Sequence, residues 1–306
     1  MTDINRTRAW LESLRPKTLS LAFSAIVVGT TLAWWQEHFD PIVALLALIT
    51  AGLLQILSNL ANDYGDLLKG SDNLDRIGPL RGMHKGVITP VQMKRALVLT
   101  VVLICLSGLL LLVASWQDVN DCIGFILFGG LSIIAAITYT AGPRPYGYIG
   151  LGDISVLIFF GWLSVMGSWY LQAHNIVPAI FLPATACGLV ATAVLNINNL
   201  RDINNDRKNG KNTLAVRLGV INARRYHACL LMGSLLCLAL FNLFVLHSIW
   251  GWLFVFSVPL LIKQAHFVLR NLDPIKMLPM LERTIKGALL TNFLFVLGIV
   301  LSRLAN

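Results

Sequence analysis

Apolar residues run along this chain in stretches of about twenty, separated by short polar connections, and the pattern repeats from one end to the other. A helix of about twenty apolar residues is long enough to cross the hydrocarbon core of a bilayer. Nine such spans are predicted, over residues 18–37, 41–61, 92–114, 122–141, 150–170, 177–199, 226–246, 249–268 and 285–303. No stretch is long and polar enough for a separate soluble domain. Residues 1–306 therefore read as one all-α, polytopic helical bundle in the membrane. Ahead of the first span, Trp10, Leu11 and Leu14 alternate with Arg8, Glu12 and Arg15. They form either a short interfacial helix or a frayed amphipathic leader. The first apolar stretch is too long for a cleavable signal peptide, and no small-residue cleavage site follows it.

Composition agrees with this reading. The chain is 56% hydrophobic and 13% charged, with a mean hydropathy of +0.72, against about 25% charged residues in soluble domains. The net charge of +9 raises the idea of nucleic acid, but its placement points to a lipid bilayer instead. Of 24 Lys and Arg, 23 lie in or beside alternate connections: before span one, between two and three, between four and five, after six, and around the connection from eight to nine. The intervening connections Trp34–Asp40, Ser115–Asp121 and Leu171–Asn175 have none, and Arg303 is the one exception. The positive-inside rule then puts the N-terminus in the cytoplasm and the C-terminus outside. The five cysteines lie in or beside apolar spans without CxxC spacing, as small packing residues do.

Carboxylates are costly near a bilayer, so their positions carry information. Seven of the 15 Asp/Glu collect at the cytoplasmic ends of spans two, five and six or in the loops beside them: Asp63, Asp66, Asp72, Asp75, Asp153, Asp202 and Asp206. Span two leaves the membrane through Asn59, Asn62, Asp63 and Asp66, and span six through Asn196, Asn198, Asn199, Asp202, Asn205 and Asp206. The pairs Asn59/Asp63, Asn62/Asp66 and Asn198/Asp202 share an i, i+4 step, which places each pair on one helix face. Isolated Asn and Asp at such places cap helices. Two clusters with common spacing on one side of the membrane suggest a duplicated unit, about 41–90 and 177–225, with a site at its interface. Converging carboxylates repel unless a cation neutralises them, and oxygen donors suit Mg²⁺ bridged to a phosphate.

The neighbouring loops offer the opposite charge. Lys69, Arg76, Arg81 and Lys85 stand among several glycines after the first cluster, and Arg207, Lys208, Lys211 and Arg217 follow the second. Arg and Lys in such a loop bind phosphate oxygens, although any one of them also serves the positive-inside bias. His84, without a partner in the sequence, carries no chemistry. A third candidate is the Gly/Pro-rich turn from Tyr139 to Asp153, where Arg144, Tyr146 and Tyr148 can lie against a planar aromatic acid. Tyrosine is also common at membrane interfaces.

Asn62-Asp63-x-x-Asp66 after span two, Asp202-x-x-x-Asp206 after span six and the nine-span layout resemble the UbiA-type intramembrane aromatic prenyltransferases. The resemblance covers nearly the whole chain. It is closest to the branch acting on 1,4-dihydroxy-2-naphthoate, through Arg15 to Thr18, Asn59 to Asp66, Lys69 to Gly86, Tyr139 to Gly161 and Asn196 to Gly219. In one departure, Gly70 stands where many members have a further Asp, and Asp72 or Asp75 would serve instead. The resemblance implies a helical bundle in a bacterial inner membrane, with a central cavity open to the cytoplasm and to lipid. It implies Mg²⁺ held by Asp63, Asp66, Asp202 and Asp206 with Asn62 and Asn198, and a polyprenyl diphosphate met by Lys69, Arg76, Arg81, Lys85, Lys211 and Tyr139. Departure of diphosphate leaves an allylic cation. The naphthoate ring attacks through its carboxylate-bearing carbon, and loss of CO₂ yields demethylmenaquinol. Arg144, Tyr146, Tyr148 and Asp153 are implied to position the aromatic acid, with Asp153 or Arg144 handling its hydroxyl proton. An alternative acceptor is 4-hydroxybenzoate.

Rival classes fit less well. Gly150-Leu-Gly-Asp153 matches the GxGD of intramembrane aspartyl proteases, but a second intramembrane Asp and a Pro-Ala-Leu are missing. The Asp-x-x-Asp-Gly pattern of CDP-alcohol phosphatidyltransferases is also missing. A secondary transporter would place its acids near the midplane, whereas these gather at one face.

Overall fold

The computed structural model describes residues 6–70, 77–78 and 82–305. Among them are nine segments long and apolar enough to cross a membrane, and no strand. The chain is thus a multi-pass membrane protein. A short helix α1 (Arg6–Leu14) precedes α2 (Pro16–Trp35), with Arg15 between them in a left-handed conformation at φ 50°. Next come α3 (Pro41–Leu68), α4 (Pro90–Ala114) and α5 (Val119–Thr138). Their N-termini are set by caps the sequence supplies: Asp40 on α3, a Thr89/Gln92 capping box on α4 and Asp118 on α5. The fifth span is irregular, with α6 (Gly152–Val156), a π-helical stretch (Leu157–Met166) and α7 (Gly167–Ala173). It is followed by α8 (Phe181–Lys208) and α9 (Leu214–Phe241). A 3₁₀ stretch (Trp250–Ser257) leads into α10 (Val258–Arg270), and α11 (Leu278–Leu304) ends the bundle.

The predicted spans are recovered, and the differences in their ends are instructive. Span two was predicted to stop at 61 and span six at 199, yet α3 runs on to Leu68 and α8 to Lys208. Apolarity ends where the lipid-like environment ends. A helix continues as long as its backbone groups bond internally and its polar side chains find partners. α1 is an ordered helix, with Ala9 buried against Leu60, Met83, Ile88 and Met93. Lys85 donates to Glu12 at 2.7 Å and ties it down.

α8 is the most enclosed span and α5 the least: Ser132 is the one buried residue of α5, which turns Ile123, Leu127, Leu131 and Ile134 outward. The main apolar core is built on Trp169, Phe241, Phe254 and Phe295. α8 meets the fifth span through glycines. A Cβ on Gly188 would lie 2.7 Å from the Leu157 carbonyl oxygen, and one on Gly161 would lie 2.5 Å from that of Ala184. Backbone cannot retreat as a side-chain tip can, and membrane helices use small residues for such close crossings. Gly188→Val is therefore expected to destabilise the bundle by about 1–3 kcal/mol, read as a lower thermal midpoint in detergent. An unchanged midpoint would show that the crossing yields freely.

Candidate active site

The ends of α3 and α8 share one cavity of about 1320 Å³. Asn62 and Asp66 line its polar end from α3, Asn198, Asp202 and Asp206 from α8, and Lys211 from the connection to α9. The walls then turn apolar through Ile104, Phe125, Phe159, Leu163 and Leu195, down to Ala47 and Leu171. On α3 alone the lining runs from Ala47 to Asp66, about 28 Å at 1.5 Å per residue. That is nearly the hydrocarbon thickness of a bilayer.

The α3 cluster divides into two faces. Gln55, Asn59 and Asp63 repeat every fourth residue and turn toward the N-terminal helices. Gln55 donates to Asn59 at 3.0 Å, and the Asn59 amide donates to the Leu14 carbonyl at 2.9 Å and the Thr18 hydroxyl at 3.2 Å. Asp63, fully buried, accepts from the Arg15 guanidinium at 2.5 Å and does not line the cavity. Asn62 and Asp66 form the second face. Asn62 accepts from Thr140 at 3.2 Å, while Asp66 accepts from the Tyr148 hydroxyl at 2.9 Å and from Lys211 at 3.4 Å.

On α8, Asn198, Asp202 and Asp206 follow one another at four-residue steps along the cavity wall. Buried Arg201 lies against them. Its Nε donates to Asp202 at 3.0 Å, and its Nη2 donates to Asp202 at 2.5 Å and to Asn198 at 2.7 Å. Such a planar fork fixes a carboxylate in direction as well as charge. The turn after α8 folds back, with the Lys211 amide on the Asp206 carbonyl at 2.8 Å and the Asn212 amide on that of Tyr148 at 2.9 Å. Lys211 also stands 5.1 Å from the centre of the Tyr148 ring, and Lys69 stands 5.7 Å from it.

The tyrosine-rich turn splits. Tyr139 and Tyr146 line the cavity with their rings 5.3 Å apart, edge to face. Tyr146 donates to the Ala135 carbonyl at 2.8 Å and lies 3.1 Å from the Ser155 hydroxyl. Burial pushes the Tyr139 phenol far up, and the negative charges of Asp153, Asp66 and Asp206 push the same way. Burial also raises Tyr146, against the hydrogen bond from Ser155. Both rings hold their protons at neutral pH, so the Tyr139 hydroxyl is a donor toward an anion.

Several expected residues fall elsewhere. Asp63 is covered by the Arg15 guanidinium and is absent from the cavity wall, although Gln55 and Asn59 on the same helix step line it. Arg144 is exposed on the turn and does not reach the cavity, since Pro143 and Pro145 hold it outward of the buried tyrosines. Tyr148 lies behind Asp66, and Asp153 lies on the opposite face of the fifth span from Ser155. Lys69 is exposed and Lys85 is engaged by Glu12, both off the cavity wall. Arg76, Arg81, Asp72 and Asp75 lie outside the described residues. Conversely, Arg15 and Arg201 line the cavity without having been singled out. The signal for Arg201 was a cation set inside an i, i+4 acid series.

Among the described residues, no three His, Cys, Asp or Glu side chains converge as a ready metal cage. The chain's own cations stand between the acids. Of the expected ligands, Asp66, Asp202, Asp206, Asn62 and Asn198 face the cavity, each offering a side-chain oxygen. This set suits a hard divalent ion that keeps its waters and bridges to phosphate.

Comparison with known proteins agrees with this geometry. A family model described as the UbiA prenyltransferase family matches residues 22–279. The chain is 78% identical over 303 residues to the 1,4-dihydroxy-2-naphthoate octaprenyltransferase of Escherichia coli (strain K12), covering 99% of this chain and 98% of that protein. It is 49% identical to the Haemophilus influenzae protein of the same name, over 97% of each. A solved UbiA homolog from Archaeoglobus fulgidus bound to GPP and Mg²⁺ superposes with a TM-score of 0.64 at 16% identity, covering 94% of this chain and 99% of that one. The UbiA homolog of Aeropyrum pernix K1 gives 0.68 at 15% identity, over 94% and 98%. These two share the fold.

Proposed function

Since the chain belongs to the UbiA prenyltransferase family, we propose that it transfers a polyprenyl group from its diphosphate to 1,4-dihydroxy-2-naphthoate, with loss of diphosphate and CO₂. The observation that carries this reading is the single cavity, acidic and amide-rich at one end and apolar along nearly the depth of a membrane. Few substrates but a long-chain diphosphate match both ends at once. The 78% identity to the Escherichia coli 1,4-dihydroxy-2-naphthoate octaprenyltransferase supports this acceptor and a chain of the octaprenyl class.

The diphosphate is held at the mouth between α3 and α8. Mg²⁺, held there by Asp66, Asp202 and Asp206 with Asn62 and Asn198, would neutralise the diphosphate charge and ease its departure. Arg201 fixes the aim of Asp202, and Lys211 and Tyr148 fix that of Asp66. Lys211 and the neutral Tyr139 hydroxyl then face the departing oxygens as donors, and preorganised donors aimed at developing charge supply a large share of such catalysis. The allylic carbon–oxygen bond breaks beneath them, where apolar walls at Phe159, Phe160 and Leu163 keep water from the cation. The acceptor's carboxylate is met by Arg8, Arg15 and Lys17, which line the wall at the corner of α1 and α2. Its carboxylate-bearing carbon forms the new carbon–carbon bond. The bond to CO₂ then breaks, and its electron pair restores the aromatic ring. The mouth and the N-terminus belong on the cytoplasmic side of a bacterial inner membrane, as the one-sided Lys and Arg support. Segments 41–90 and 177–225 act as two halves of the site.

Purified protein in lipid, given octaprenyl diphosphate and dihydroxynaphthoate, is expected to release one CO₂ and one diphosphate per prenylated ring. Chelation of divalent ions should lower this rate at least about 100-fold, with recovery on adding Mg²⁺. Prenylation of 4-hydroxybenzoate without decarboxylation, in preference to the naphthoate, would overturn the assignment.

A further inference from the structure

The GxGD segment finds no use in the cavity above. Asp153 is 5% exposed, and its Oδ1 is buried without a hydrogen-bond partner. An unmatched carboxylate oxygen in an apolar setting is costly, and it lies in a second, smaller cavity of about 220 Å³. The Tyr226 phenol borders the same space. Ile154, Leu157, Leu189 and Leu230 form the walls of this cleft, and Gly150 and Leu214 border it at the level of the cytoplasmic connections. Ile154 is 55% exposed at its rim, so the cleft opens to the side of the bundle. It is distinct from the main cavity: Ser155 and Val156 face one, and Asp153, Ile154 and Leu157 face the other.

The contents of the cleft select a ligand. Its volume suits one small ring system, and its walls are largely apolar. Its polar side chains are the Asp153 carboxylate, the Tyr226 phenol and the Thr192 hydroxyl, which donates to the Gly188 carbonyl at 2.8 Å. No Lys or Arg lines it. A carboxylate-bearing ring would face Asp153 with like charge and no compensating cation. The reaction proposed above removes that carboxylate from the acceptor and leaves an uncharged diol in the membrane. We propose that this cleft is a second binding site for the quinol head of the product, with a ring hydroxyl donating to Asp153 Oδ1. The inference rests on the proposed function for the identity of the product.

The test uses the full chain in phosphatidylcholine nanodiscs under reducing, anaerobic conditions, with radiolabelled 1,4-dihydroxynaphthalene as the probe. Ile154→Trp fills the rim at an exposed position, and Asp153→Leu removes the acceptor. Asp153→Leu is expected to weaken diol binding at least about tenfold, the loss of one hydrogen bond to a charged group, and Ile154→Trp to weaken it as much by occluding the rim. Ile154→Trp should keep the parent's initial rate of prenyl transfer. Diol binding that is unchanged in both variants would overturn the site. A parent protein that fails to prenylate dihydroxynaphthoate would instead overturn the function on which the site rests.

Discussion

Asp202→Ala is expected to lower kcat/KM for prenyl transfer at least about 1,000-fold, roughly 4 kcal/mol of transition-state stabilisation, while the protein still inserts into membranes. Asp202 lies on the cavity wall with its two oxygens fixed by Arg201, so its charge and aim are set before substrate arrives. Its loss has a second consequence. Arg201 is 3% exposed, and without Asp202 it keeps only Asn198 among the partners described above, so a buried cation loses its counter-charge. Breaking one side of a buried pair costs about 3–5 kcal/mol, which should appear as a lower thermal midpoint. Arg201→Met combined with Asp202→Ala removes both charges. The double variant should recover most of the midpoint and none of the activity. Diphosphate release and thermal unfolding in detergent measure the two effects separately. Near-parental release by Asp202→Ala would remove the mouth of the cavity as the reaction centre.

The spans were legible because lipid imposes one simple demand, about twenty apolar residues. The expected sidedness rests on Lys and Arg, which follow a rule that ignores tertiary structure. The acid series on α8 was legible for a local reason: Asn198, Asp202 and Asp206 share a helix face whatever surrounds them. The α3 cluster shows where local reasoning stops. Asn59/Asp63 and Asn62/Asp66 share the same step, but their faces differ by about 60° at 3.6 residues per turn. Arg15, 48 residues away in sequence, covers Asp63 and takes it off the cavity wall, while Asn59 on the same face still lines it. The same holds at Asp153 and Ser155, two residues apart and on opposite sides of one span. Tyr139, Tyr146 and Tyr148 looked alike in a Gly/Pro-rich turn, and the fold of that turn separates the first two from the third. Which residues make a face follows from the helix, whereas which face meets the cavity follows from its neighbours.

That distinction yields the sharpest contrast among the acids. Asp63→Asn should leave prenyl transfer within about tenfold of the parent, because Asp63 is spent on Arg15 and absent from the cavity wall. Its cost should fall on stability, at about 1–3 kcal/mol for weakening a charge-assisted hydrogen bond. Arg15→Ala should cost more, about 3 kcal/mol or above, since the buried member of the pair is then Asp63, at 0% exposure. Asp66→Asn reverses the pattern. The amide oxygen still accepts from Tyr148, so the fold is kept, but the charge opposite Lys211 and at the diphosphate is gone. Activity should fall at least about 100-fold with a midpoint close to the parent's. Neighbouring residues of one motif thus separate into a strut and a reacting-site acid. The discriminating measurement is the pair of quantities, turnover and thermal midpoint, on both asparagine variants. An Asp63→Asn protein as inactive as Asp66→Asn, with an unshifted midpoint, would return Asp63 to the metal-binding set that its motif suggests.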